Sequence, residues 1–156
     1  WRYSDMEMMT LASLCIMVGY LLAMAKKYGR QEVISEYAYK GGAWLFSLSV
    51  GLSAALLMPP MIERAPEDFQ FLGFLAPAAL LFVAAAPHYK GEDSKVHKWA
   101  AGLAAVFCVL WGLVTMPGVP VILALIYALV YPIDNKGRWI DAEVFGLAIP
   151  YIILLN

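Results

Sequence analysis

The sequence predicts an all-α, polytopic membrane protein, a bundle of six transmembrane helices forming one domain over residues 1–156. Three observations carry this. The chain is 62% hydrophobic and 15% charged, with a mean hydropathy of +0.69, where soluble domains run ~45–50% apolar and ~25% charged. Residues 99–133 contain no Asp, Glu, Lys or Arg and are broken once, at Met116-Pro117-Gly118-Val119-Pro120. One span needs ~20 apolar residues, so this stretch suits two short spans and a tight turn. Finally, the basic residues are divided unevenly between the loops such a bundle would have.

Taken in order, the first span is expected at 6–25, closed by Lys26, Lys27 and Arg30. The run from Met8 onward has no basic leader segment and no clean small-residue exit, so it reads as a retained span and not a signal peptide. The chain opens on Trp1 and not on Met, so further residues are expected ahead of it. Span two is expected at 37–58, stopping at Pro59-Pro60, since proline lacks an amide donor and clashes with the preceding turn. Span three is expected at 69–86 with Pro77 inside it, a feature tolerated where neighbouring helices satisfy the freed carbonyl. Span four is expected at 97–116 and span five at 120–131, the latter giving only ~18–20 Å of helix against ~30 Å of hydrocarbon. Span six is expected at 139–156, with Pro150 inside it.

With six spans, the loops at 26–36, 87–96 and 132–138 share a side. Lys26, Lys27, Arg30, Lys40, Lys90, Lys95, Lys98, Lys136 and Arg138 fall there, against Arg2 and Arg64 opposite. Basic residues stay cytoplasmic, which places these loops inside and both termini outside. The alternative, five spans plus a re-entrant segment, moves Lys136 and Arg138 outward and weakens the bias. Tyr28, Tyr37, Tyr39, Tyr89, Trp99 and Trp139 then sit at the inner boundary, as an interfacial aromatic belt.

Small residues indicate close packing. Pairs at 100/104 and 101/105 in span four, Gly51 and Ala55 in span two, and Ser49 and Ser53 on one face of span two suggest that these spans are central. Spans three and six share an apolar Gly-x-x-x-Pro pattern, at Gly73 and Pro77 and at Gly146 and Pro150, a weak echo of an inverted repeat. Cys15 and Cys108 read as small buried hydrophobes.

No span carries an ionisable group near its middle, which argues against a proton- or sodium-coupled carrier. A passive path along Ser47, Ser49, Ser53 and Thr115 stays open, with Tyr37, Tyr39 and Trp44 as further ligand or pathway candidates. The ionisable groups gather instead at the inner helix ends. Ser35, His97, Asp141 and Glu143 are the catalytic candidates, and His88, His97 and Glu143 the metal candidates. Each has a plainer explanation. Acids in a first turn meet the positive end of the helix dipole, and Ser35 stands where an N-cap would. No HExxH spacing, nucleophile elbow, phosphate loop or dinucleotide fingerprint occurs. No cofactor is expected, and a net charge of -1 gives no basic surface for nucleic acid.

At Ile34-Ser35-x-Tyr37-x-Tyr39, Trp44-Leu45-Phe46, Ala85-Ala86-Pro87, Val96-His97 and Trp139 with Asp141 or Glu143, the chain resembles a group of small bacterial integral-membrane proteins of unknown function. The resemblance covers 34–111 well and the ends poorly. It implies a polytopic inner-membrane architecture and no specific activity. The Tyr37-x-Tyr39 spacing departs from the adjacent tyrosines of that group. A more distant similarity is to membrane-embedded lipid hydrolases using Ser, Asp and His near the inner face, although their paired histidines on a late span have no counterpart here.

Three functional readings follow. The first is a non-enzymatic accessory, scaffold or small-molecule-binding bundle in the bacterial inner membrane. The second is a small passive transporter or channel. The third is a lipid-acting hydrolase with its site at the cytoplasmic rim. The expected partners are the lipid bilayer and a second copy or another membrane protein.

Overall fold

The computed structural model describes residues 3–88, 93–130 and 139–156, without the side chains of 88, 93–95, 130 and 139. Every element among these residues is helical: α1 (Tyr3–Tyr28), α2 (Glu36–Gly41), α3 (Ala43–Arg64), α4 (Gln70–Ala85), α5 (Asp93–Thr115), α6 (Gly118–Val130) and α7 (Trp139–Leu154), with 3-10 turns at Glu67–Phe69 and Ala86–His88. Four helices are long and apolar enough to cross a membrane: Tyr3–Tyr28, Ala43–Arg64, Glu67–Ala85 and Val96–Thr115. The chain is therefore an all-helical bundle of a kind that fits a multi-pass membrane protein. At 13 and 16 residues, α6 and α7 are shorter than a full crossing.

The first four long helices pack in chain order. α3 lies between α1 and α4, and α4 lies between α3 and α5. α7 then folds back, touching α5, α6, α3 and α1. It runs in the same direction as α5, and α6 returns against both, with the Tyr127 and Phe145 rings 5.6 Å apart. One end of the bundle gathers the α1–α3 connection and the starts of α5 and α7. The other gathers the α3–α4 turn and the α5–α6 turn.

The core has two main parts along the bundle. Near the first end, Met17, Tyr20, Met24, Tyr37, Phe46, Val50, Val83 and Ile140 pack together. Near the second, Leu57, Met61, Leu72, Ala76, Cys108, Trp111, Ile149 and Ile153 do so. Contact at the second end is very close. A Cβ on Gly73 would lie 2.5 Å from the Met61 carbonyl oxygen, and one on Gly112 would lie 2.6 Å from Ile149 and 2.9 Å from Pro120. Trp111, fully buried, donates its indole N–H to the Met61 oxygen at 2.9 Å. Met61 lies in the last turn of α3, where carbonyls have no helical donor, so the indole supplies one.

Several expectations need correction. Span two is not one helix from Tyr37. It is split into α2 and α3 at Gly42, whose φ of +100° suits a residue without Cβ. Nor does it stop at Pro59-Pro60, because α3 continues to Arg64 with both prolines inside. The carbonyls they strip of donors are those of Ala55 and Leu56, one turn earlier, and the helix is held on past them by its packing against α4. Ser35 occupies the N-cap position of α2 but makes no capping hydrogen bond with its side chain. Cys15 is exposed on the bundle surface and only Cys108 is buried. Ala100 and Ala104 are buried as expected, whereas Ala55 and Ala105 face outward. Of the expected aromatic belt, Tyr39 and Trp99 are exposed, but Tyr37 is buried and donates to the Gly29 carbonyl at 3.0 Å. Tyr89 and the side chain of Trp139 lie outside the described residues, as do Lys90, Lys136 and Arg138.

Candidate functional site

The α1–α3 connection is the part of the chain that builds a site. Gly29, at φ +73°, ends α1 with its amide bonded to the Ala25 carbonyl at 2.9 Å. Residues 30–35 then turn across the mouth of the bundle and are tied to the start of α7 at three points. Arg30 pairs with Asp141, the Ile140 amide donates to the Glu32 carbonyl at 2.7 Å, and the Ile34 amide donates to a Glu143 carboxylate oxygen at 2.7 Å. Gln31 steadies the turn from inside, donating to the carbonyls of Tyr28 and Gly29 at 2.8 and 3.1 Å and accepting from Lys40.

Beneath this segment lies a cavity of about 100 Å³. Its walls are apolar: Met17 from α1, Phe46 and Val50 from α3, Leu80 and Val83 from α4, Cys108 from α5 and Leu147 from α7. Its polar lining consists of Ser35, His97 and Glu143. Three catalytic candidates scattered over more than a hundred residues of sequence thus border one space.

The cavity exists because α5 and α7 diverge. They touch at Gly112 and Ile149, yet a Cβ added to Gly146 would meet nothing within 4 Å. The facing residues along the opening are small: Ala101 and Ala105 on α5, Ala142 and Gly146 on α7. Ala105 is exposed and Gly146 half-buried, so the cavity reaches the outer surface of the bundle along this seam.

Proline chemistry sets the polar groups. Pro87 has no amide to give the Val83 carbonyl four residues earlier. The His97 imidazole is turned toward that carbonyl, which places the ring at the cavity edge. Pro150 likewise strips the Gly146 carbonyl of its helical donor, and Gly146 lines the cavity.

The remaining candidates are placed elsewhere. Asp141 is taken up by Arg30. Ser53 is fully buried among the helices, where its hydroxyl donates to the Ser13 carbonyl at 3.3 Å. Ser13 in turn donates to the Ser53 carbonyl at 2.9 Å and shares a hydrogen bond with the Tyr151 hydroxyl at 2.8 Å. Ser47 bonds to the Ala84 carbonyl, Ser49 is buried, and the Thr115 hydroxyl is buried without a partner among the described residues. None of these hydroxyls lines the cavity. Tyr39 and Trp44 are 67% and 71% exposed and face away from it. The side chain of His88 lies outside the described residues, among which no group of three or more His, Cys, Asp or Glu could hold a metal ion.

Sequence reasoning missed the seam and the Ser13–Ser53–Tyr151 knot. The signal for the seam was present: small residues four apart at 101/105 and at 142/146, with a proline four residues after Gly146. The knot joins three helices distant in sequence and left no local trace. Comparison with protein-family models, with curated proteins and with solved structures finds no match to this chain.

Proposed function

We propose that this chain is a non-enzymatic inner-membrane protein of six crossings that binds a small amphipathic molecule inside its bundle. The loops at 26–36, 87–96 and 132–138 are cytoplasmic and the termini are outside. The single observation that carries the binding reading is the cavity between α5 and α7. A cavity of about 150 Å³ lined by aliphatic side chains accepts a benzene-sized guest, so this one takes a few carbons of a chain. The rest of the chain runs out through the seam into lipid. The polar end rests at Ser35, His97 and Glu143, at the level where headgroups sit. The six-crossing count draws support from the antiparallel course of α6 and α7 and from the basic residues; local thinning of the bilayer accommodates their short lengths.

Extraction in mild detergent followed by mass spectrometry of co-purified small molecules tests the binding reading. Gly146→Leu, which fills the seam, is expected to lose the co-purified species, and equal recovery from both proteins overturns the reading. For the topology, single cysteines at 32, 136 and 64 in a Cys15→Ala, Cys108→Ala background are labelled in sealed cells. Positions 32 and 136 should share a side and 64 should lie opposite; labelling of 136 together with 64 overturns the count.

A lipid-acting hydrolase is the second reading, favoured by the meeting of Ser35, His97 and Glu143 at one cavity. It requires His97 to act as a base toward Ser35, whereas no hydrogen bond joins their side chains among the described residues and Glu143 is engaged by Ile34. Lipid turnover that is abolished by both Ser35→Ala and His97→Ala would establish it in place of the first.

A further inference from the structure

α7 is held in two different ways along its length. At the second end of the bundle the hold is steric. A Cβ on Gly112 would lie 2.6 Å from Ile149 and 2.9 Å from Pro120, so α5, α6 and α7 meet there without slack. At the first end the hold is largely polar and comes from one strap, residues 30–35. Arg30 pairs with Asp141, the Ile140 amide donates to the Glu32 carbonyl at 2.7 Å, and Glu143 accepts from the Ile34 amide at 2.7 Å. All three ties fall within one turn of α7, where the Ile140 side chain is also buried in a cluster with Tyr37. Between the two holds, α7 stands off α5. A Cβ on Gly146 would meet nothing within 4 Å. Pro150 lies inside α7 at the boundary between the two holds. It withdraws the amide that would bond to the Gly146 carbonyl, and helices bend at such interruptions.

We propose that the first half of α7, residues 140–148, is a lateral gate. It swings on a hinge at Pro150 away from α5 and widens the seam, and residues 30–35 are the latch that holds it shut. This rests on the amphiphile-binding reading above and supplies its entry route: the occupant comes sideways out of the lipid, because the strap lies across the end of the bundle. The division of labour suits a gate. The fulcrum is close-packed, and close-packed contacts resist sliding. The latch is an exposed ion pair and two hydrogen bonds, each worth little enough to break and remake.

The experiment uses the full chain with Cys15→Ala, reconstituted in nanodiscs. Cys108 lines the cavity and is buried, so the rate at which N-ethylmaleimide modifies it, read by mass spectrometry of its peptide, reports opening. The Glu32 carbonyl and the Ile140 amide are bonded, close enough for Glu32→Cys and Ile140→Cys to form a disulfide across the latch. The oxidised protein should react at Cys108 about tenfold or more slowly than the same protein reduced. Arg30→Ala loosens the latch and should speed the reaction by up to about fivefold. Pro150→Ala returns the missing amide and should slow it severalfold, where a merely structural loss of volume would speed it. Gly73→Ala, which loosens α3 against α4 and leaves α7 alone, should not change the rate well below its melting midpoint. Equal rates in the oxidised and reduced proteins overturn the latch. A Pro150→Ala rate at or above the parent overturns the hinge, and acceleration by Gly73→Ala equal to that by Arg30→Ala means general loosening and overturns the gate. These rates report motion with the cavity empty or filled, so their failure leaves the co-purification test of the binding reading standing, and its failure leaves the rates standing.

Discussion

Gly73→Ala should separate α3 from α4. The added methyl would lie 2.5 Å from the Met61 carbonyl oxygen, 2.7 Å from the Met61 carbonyl carbon and 2.7 Å from the Ile62 nitrogen. All three are backbone atoms, so no side chain can swing away. Reaching an ordinary contact of about 3.4 Å requires the helices to part by roughly 1 Å. Overpacking of this kind costs ~1–3 kcal/mol. The same movement pulls the Met61 oxygen from the Trp111 indole, a bond of 2.9 Å, for about 1 kcal/mol more. A total near 3 kcal/mol corresponds to a fall in melting temperature of about 6–12 °C for a chain of this length. Thermal unfolding in mild detergent, followed by dye labelling of the buried Cys108 in a Cys15→Ala background, reads this directly. Gly19→Ala is the control, since a Cβ there meets nothing within 4 Å; it should hold or raise the midpoint, because alanine favours helix. A Gly73→Ala midpoint within about 1 °C of the parent would refute the close approach of α3 and α4 at this point.

Three further outcomes follow from the same geometry. Trp111→Phe leaves the Met61 carbonyl without its indole donor and should cost ~1–3 kcal/mol in the same melt; an unchanged midpoint would mean that another group replaces the bond. Ser13→Ala and Tyr151→Phe, singly and together, form a cycle whose coupling should be about 0.6 kcal/mol and no more than ~1.7 kcal/mol; strict additivity would mean that α1 and α7 do not meet there. Arg30→Ala should cost less than ~1 kcal/mol, because Arg30 is 57% exposed beside Asp141. That loss should disappear near 1 M salt; a loss that persists would place the pair out of reach of solvent ions.

The helices were legible in the sequence, and the points at which they are interrupted were less so. The turn at 116–120 is where α5 gives way to α6, as the uncharged stretch and its two prolines suggest. Pro59-Pro60 misleads because packing can carry a helix past a proline, and here α4 lies along α3 beyond both prolines. Gly42 breaks the second span for the opposite reason, a local φ that hydropathy does not register. Tyr37 and Tyr39 show the value of helical phase. Two residues apart on α2, they point to nearly opposite sides, so burying Tyr37 obliges Tyr39 to be exposed. Ser35, His97 and Glu143 could be gathered at one rim from helix order alone. The space between them could not, because it depends on α5 and α7 touching at Gly112 and diverging toward Gly146, a matter of angle that no residue spacing encodes.

The order in which the helices pack bears on how the protein is made. α3, α4 and α5 each meet the long helix before them, so those contacts can form while the ribosome is still extending the chain. The ties made by α7 to Glu32, Ile34 and Ser13 join residues more than a hundred positions apart and can form only after α7 has been synthesised. Until then the α5 wall of the cavity has no opposite side and Ser13 lacks the Tyr151 hydroxyl. Closure of the cavity therefore waits on α7, and a nascent chain stalled before residue 139 would leave the α5 flank of the bundle open.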